Sequence, residues 1–186
     1  MNECSNESKI CLALPSGRIF RSARYGDVTA VSDIYKGSAK RGDGTTWNEF
    51  YPTIDDAAND LGADRLFVLE EYGRVVGCVS VAPESELSDL DLWKYQRPDT
   101  LEITRLGVSP DSRRRGIAKD MAKALICCLF ENGCSAIHLL AAKQNIAATN
   151  MYKNLGFDFR GECRMFDIDF YACELINEKM KENNVE

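Results

Sequence analysis

The sequence predicts an α/β (α+β) fold, a mixed, mostly antiparallel central sheet of about six to seven strands with helices on both faces. Segments rich in β-branched and large apolar residues alternate along the chain with segments of helical periodicity. Residues 65–70 and 74–81 flank Glu71-Tyr72-Gly73, a hairpin pattern, and the chain finishes in a second pair of strand-like segments. Between these pairs, the strand at 101–108 breaks at Ser109-Pro110 and runs through a basic, glycine-containing loop straight into an amphipathic helix.

In chain order, residues 1–17 are polar and end in Pro15-Ser16-Gly17, the composition of a flexible N-terminal arm. A strand at 18–24 follows, then a helix with Asp27 at the N-cap and Val28, Val31, Ile34 and Tyr35 on its apolar face. Residues 37–44 resemble a phosphate loop in glycine content only, since the Gly-Lys-Ser/Thr ending is missing; they read as a connection. Residues 46–60, with Thr45 and Thr46 as caps and Pro52 inside, read as a broken helix whose Trp47, Phe50, Tyr51 and Ile54 serve as core or as a pocket wall. The stretch 84–98 is acidic through Glu84, Glu86, Asp89 and Asp91; it reads as a solvated loop or short helix, or as a wall that attracts an amine. The central helix presents Ile117, Met121, Ala124, Leu125, Cys128 and Leu129 on one face and closes at Asn132-Gly133. Beyond it come a strand at 134–141, a helix capped by Asn145 and ended by Gly156, and strands at 157–160 and 164–172 around a Gly161-Glu162 turn. A single domain over 18–176 and a fraying polar tail at 177–186 complete the reading.

A length of 186 residues suits one domain with a full core, and 28% charged residues fit an ordinary globular chain. The net charge of −6 argues against broad contact with nucleic acid or an anionic membrane, and it tolerates a cationic or amine substrate. No apolar run approaches the roughly 20 residues that span a bilayer, and residues 10–14 are too short for a signal peptide, so a cytoplasmic location is expected. The eight cysteines contain no C-x-x-C pair and His138 is the only histidine, so reduced thiols are expected and no metal site.

The central strand, loop and helix build an anion site. The first N–H groups of a helix lack intrahelical partners, and the helix dipole favours a phosphate there. Gly116 lets a diphosphate approach the backbone, and Arg113, Arg114 and Arg115 raise the local positive potential in an acidic chain.

Two segments together resemble the GCN5-related N-acetyltransferase (GNAT) superfamily. The first is Arg113-Arg114-Arg115-Gly116-Ile117-Ala118, similar to the family's (Gln/Arg)-x-x-Gly-x-(Gly/Ala) loop, with Ala118 where glycine is frequent. The second is Asn145, Ala148, Tyr152, Gly156 and Phe157, similar to the family's Asn-x-x-Ala-x-x-x-Tyr-x-x-x-Gly-Phe helix and turn. With the flanking elements the resemblance covers about residues 18–175.

The resemblance implies the GNAT fold and transfer of acetyl from acetyl-CoA to a primary amine of a small molecule or peptide, without a metal. Backbone groups around Arg113 to Ala118 are then expected to hold the CoA diphosphate. A bulge at Gly107 would splay the strand so that Leu106, Gly107 and Val108 meet the pantetheine arm, with the amide at Val108 or its neighbour polarising the thioester carbonyl. The resemblance gives Asn145 a pantetheine contact in addition to its cap, and it gives Tyr152 the acid role at the CoA sulfur. Glu102 has two readings, as the base acting directly or through water and as a structural hydrogen-bonding group. Thr104 and Arg105 are expected on alternate faces, one of them toward the substrate cleft, and His138 is expected to be structural. A catalytically weak acetyl-CoA sensor is the alternative function, and the apolar last strands permit a homodimer.

Overall fold

The computed structural model describes residues 10–40, 44–83, 87 and 90–178. Its elements run β1 (Cys11–Ala13), β2 (Ile19–Ser22), α1 (Val28–Ala39), α2 (Ile54–Gly62), β3 (Leu66–Glu71), β4 (Arg74–Pro83) and β5 (Leu101–Val108), then α3 (Ile117–Glu131), β6 (Ala136–Ala142), α4 (Ile146–Asn154), β7 (Asp158–Met165) and β8 (Ile168–Ile176). All eight strands join one sheet in the order β1-β2-β3-β4-β5-β6-β8-β7. Every pairing is antiparallel except that of β5 with β6. The mixed, mostly antiparallel sheet is therefore as expected, with more strands than six or seven. The additional edge strand β1 lies within the segment expected to be an arm, and residues 1–9 are outside the described residues.

Period-2 alternation divides the core between the two faces. On one face Val79, Val81, Ile103, Ile137 and Leu139 pack with Ile117, Met121, Leu125 and Leu129 of α3 and Tyr152 of α4. On the other, Val68 and Cys78 pack with Val31, Ile34 and Tyr35 of α1 and Ala57 of α2. Helices thus cover both faces, and burying both is what keeps a sheet with so many apolar central strands folded.

Local chemistry moves several boundaries. Asp27 does not cap α1 through its side chain; its carboxylate accepts from Arg24 N at 2.7 Å and from both Arg21 terminal nitrogens at 2.7 and 3.0 Å. The helix expected from residue 46 starts only at Ile54, where Thr53 and Asp56 form a capping box. The β3–β4 turn is Tyr72-Gly73, both with positive φ (51° and 75°), as a two-residue hairpin requires. The last hairpin turns at Phe166-Asp167 rather than at Gly161-Glu162. Gly161 instead sits at a bulge in β7, where a Cβ would come within 2.8 Å of Leu92. At the expected tail, Asn177 is buried and donates to the carbonyls of Cys134 and Phe130 at 3.1 and 3.4 Å. Glu84, Glu86 and Asp89 of the acidic stretch lie outside the described residues, as do residues 179–186.

The bulge in β5 also differs from the expectation. Cys78 faces Gly107 and Ser80 faces Thr104, so Arg105 and Leu106 oppose the single residue Val79. Arg105 takes the left-handed conformation (φ 48°) that makes this possible. Gly107 is required for space: a Cβ there would lie 2.8 Å from the Trp47 ring and 3.0 Å from Ile34. Gly107→Ala is therefore expected to destabilise the fold by about 1–3 kcal/mol through overpacking, measured by urea denaturation. A midpoint equal to the parent's would show that Trp47 moves aside freely.

Candidate active site

The site forms where β5 and β6 part. Their ladder has only two pairs, Leu101 with Ile137 and Glu102 with His138, although β5 continues to Val108 and β6 to Ala142. Beyond Glu102 the edge of β5 is free of β6, on the far side from β4. Ser109 N donates to Val76 O of β4 at 2.9 Å. By alternation along the strand, the preceding Val108 N–H points the opposite way, into the opening. Arg113 brackets this residue, with Nε 3.4 Å from Val108 O and Nη2 donating to Ser38 Oγ of α1 at 2.9 Å.

The loop into α3 is shaped by two left-handed residues, Arg114 (φ 61°) and Gly116 (φ 77°). The first intrahelical bond runs from Asp120 N to Gly116 O, so the N–H groups of Ile117, Ala118 and Lys119 precede the ladder at a positive helix end. Nothing lies within 4 Å of a Cβ at Gly116, which leaves the backbone open to a bulky anion. Arg115 is drawn back to Glu71 at 2.9 Å, and its carbonyl accepts from Arg18 Nη2 at 3.1 Å. Arg18 also pairs with Glu71 and Asp120, at 3.0 and 2.6 Å, and these arginines hold the Glu71 carboxyl below its ordinary pKa even though burial opposes it. Arg113 and Arg115 thus brace the loop, while Arg114 is exposed.

Tyr152 lies in the apolar cluster of the α3–α4 face, against which Leu106 and Val108 pack, with its ring edge-on to Phe157 at 5.4 Å. Burial, seconded by Cys173, pushes its hydroxyl well above the ordinary tyrosine pKa and keeps it protonated. Asn145 caps α4 by accepting from Ala148 N at 3.1 Å. A Cβ on Gly44 (φ 75°) would meet Gln144 O at 2.5 Å, so the α1–α2 connection reaches across the opening to the start of α4.

Glu102 alternates with Leu101 and Ile103 and therefore lies on the other face, in register with His138, which in turn faces Glu174 of β8. Glu102 and Tyr152 thus lie on opposite faces of the sheet. Thr104 does not alternate with Arg105 as expected, because the bulge puts both on the α2 face. Arg105 forms a two-pronged pair with Asp60, whose carboxylate also accepts from Ser80. Thr104 Oγ1 is buried without a hydrogen-bond partner.

His138 and Glu174 are fully buried. Since a carboxylate can only accept, His138 Nε2 carries the hydrogen toward Glu174 Oε1 at 3.1 Å, and Tyr95 N donates to the same oxygen at 2.9 Å. The Trp93 ring stacks on His138 at 3.9 Å, so the described part of the 84–98 stretch packs on the sheet here. Asp60, Ser80 and Glu174 were not singled out in the sequence, although Ser80 is a lone hydroxyl in the apolar run of β4 and so signals a buried partner. Among the described residues no cluster of metal-ligating side chains occurs, and no helix is long and apolar enough to cross a membrane.

The chain is also similar to known proteins. The model of the Acetyltransferase (GNAT) family matches residues 29–157. The chain belongs to the GNAT family. Among curated relatives, an acetyltransferase of Pectobacterium atrosepticum is 42% identical over 112 residues, 60% of this chain and 70% of that protein. Mouse N-acetyltransferase 8 is 31% identical over 97 residues, 52% of this chain, and the match spans only 40% of the mouse protein's length. The fold is shared with an acetyltransferase of Streptococcus agalactiae (TM-score 0.75, 18% identity, 89% of this chain and 98% of that one). It is also shared with a Salmonella typhimurium structure containing its cofactor acetyl-CoA (TM-score 0.68, 21% identity, 85% and 92%).

The Glu174 carboxyl is pushed up by burial, but the bonds from His138 and Tyr95 outweigh this and hold it below its ordinary value of 4.5. A depressed carboxyl stabilises the fold fully above its unfolded pKa and loses that contribution as pH falls through the folded one. The stability gap between the parent and Glu174→Gln is therefore expected to be constant near neutrality and to shrink below about pH 4.5. Chemical denaturation at a series of pH values measures it, and a gap unchanged down to about pH 3 would refute the assignment.

Proposed function

We propose that this chain transfers the acetyl group of acetyl-CoA directly to a primary amine of a small molecule or peptide. The observation that carries the reading is the Val108 N–H directed into the opening between β5 and β6, with the loop at Gly116 at one end and Glu102 and Tyr152 on opposite faces. The acetyl-CoA of the GNAT family fits these residues: a left-handed glycine at a helix N-terminus suits a diphosphate, and the unpaired edge of β5 suits an extended amide chain.

Bound acetyl-CoA supplies the activated acyl thioester. Residues Arg113, Arg114, Arg115, Gly116, Ile117 and Ala118 hold the diphosphate end through backbone N–H groups and positive potential. Leu106, Gly107 and Val108 align the arm, and the Val108 N–H polarises the carbonyl oxygen. Asn145 fixes the start of α4 and with it Tyr152. Glu102 takes the proton of the acceptor amine, directly or through a water molecule, and the Tyr152 hydroxyl provides the proton at the position of the departing thiol. Tyr152 is protonated at neutral pH, so the proton is available.

Thiol release from acetyl-CoA across a panel of primary amines tests the reading, and tight binding with no turnover on any amine would favour an acetyl-CoA sensor. Tyr152→Phe is expected to lower kcat by roughly 10- to 100-fold with little change in CoA affinity; an unchanged rate removes the acid role. Gly116→Val, which forces a β-branched residue to positive φ without a steric clash, is expected to weaken CoA binding at least about tenfold while the fold persists. Calorimetric titration with CoA measures this, and undiminished affinity would reject the cradle.

A further inference from the structure

We propose that Asp60 and Arg105 are positioning residues that hold the β5 bulge, and with it the Val108 amide, in the conformation that polarises the acyl carbonyl. The inference rests on the acetyl-transfer reading above and adds two residues to it. Arg105 is a non-glycine residue at φ 48°, a conformation that L-residues rarely adopt unless their surroundings fix it. Here the surroundings do so. Arg105 Nε donates to Asp60 Oδ2 at 2.8 Å and Nη2 donates to Oδ1 at 2.7 Å, the two-pronged geometry that defines orientation as well as distance. The pair is largely buried, with the Arg105 and Asp60 side chains 16% and 11% exposed, so it is poorly screened by solvent.

Asp60 is itself held in place. It stands on α2, and it also accepts from Ser80 Oγ of β4, the strand against which the bulge is registered. The carboxylate therefore ties α2, β4 and β5 together at one point. Arg105 lies three residues before Val108, and Leu106 and Gly107 between them have little freedom. Gly107 packs against Trp47 and Ile34, and Leu106 packs into the core of the opposite face. A rotation at residue 105 must therefore be taken up by the peptide groups leading to Val108. The third nitrogen, Nη1, donates to the hydroxyl of Tyr51 at 3.2 Å, and Tyr51 is 44% exposed on the α1–α2 connection. The brace thus has one end at the bulge and the other on the surface.

The test uses the full chain and acetyl-CoA isotopically labelled at the carbonyl carbon, whose infrared stretch moves to lower frequency when the oxygen accepts a hydrogen bond. No acceptor amine is needed. In the parent protein the bound stretch is expected below that of free acetyl-CoA. Asp60→Asn and Arg105→Lys are each expected to lose more than half of that displacement while CoA affinity stays within about threefold. Arg105→Ala, which keeps a Cβ at the positive-φ position and removes the brace, is expected to do the same, and it decides the matter if the other two variants fold poorly. Variants that fold and keep the parent's displacement would overturn the positioning role and leave the proposed function standing. A parent protein that binds acetyl-CoA without displacement, or does not bind it, would overturn the proposed function and this inference with it.

Discussion

The parting of β5 and β6 is the constraint on which the rest of the structure depends. Two parallel strands connected through α3 would ordinarily pair along their length, because each unpaired backbone N–H or C=O buried in a sheet costs free energy. Here the ladder stops after Glu102–His138, and the break is made affordable by compensation on every side. The bulge at Arg105-Leu106 bends β5 away. Helix α4 and the tyrosine it carries pack on the α3–α4 face, while the α1–α2 connection crosses to the start of α4 at Gly44. What is left between the strands is a backbone edge able to pair with an extended chain, and the loop proposed to hold the diphosphate lies at its end.

The parts of the site that were legible in the sequence are those whose chemistry is local. The loop at Arg113 to Ala118 was readable because a phosphate needs backbone N–H groups, a residue without a side chain and positive charge within a few positions of a helix start. Asn145 was readable as a cap for the same reason. The bulge was expected at Gly107 because glycine is the usual residue for unusual backbone, whereas the structure uses Arg105, whose stabilising partner Asp60 lies 45 residues earlier. Only the packing of α2 on the sheet brings that carboxylate into range. The same confusion displaced the last turn: Gly161 resembled a turn residue, but its lack of a side chain accommodates Leu92, and Phe166-Asp167 made the turn. A glycine announces an absence of side chain, and the sequence does not say whether rotation or space required it.

The two faces of the sheet differ in electrostatic character, and the difference suits the chemistry proposed for them. The α3–α4 face is apolar around Tyr152, and burial there raises the pKa of the hydroxyl. The opposite face carries buried charges, and its anions are held in place, Asp60 by Arg105 and Glu174 by hydrogen bonds from His138 and Tyr95 with Arg160 3.5 Å away. Burying such pairs gains little stability over apolar residues of the same size. Their value is geometric: each ties a segment to the sheet, α2 in one case and the Trp93-Tyr95 strand cover in the other.

The bulge belongs to both faces at once, and this links them mechanically. Arg105 points to the α2 face, Leu106 to the α3–α4 face, and the peptide groups between them lead to Val108 at the opening. The exposed Tyr51 hydroxyl accepts from the same guanidinium that pairs with Asp60. Because Asp60 holds the other two nitrogens, the guanidinium would stay in place if the contact with Tyr51 were lost. The bulge therefore depends on the buried contact with Asp60 and not on the surface contact with Tyr51.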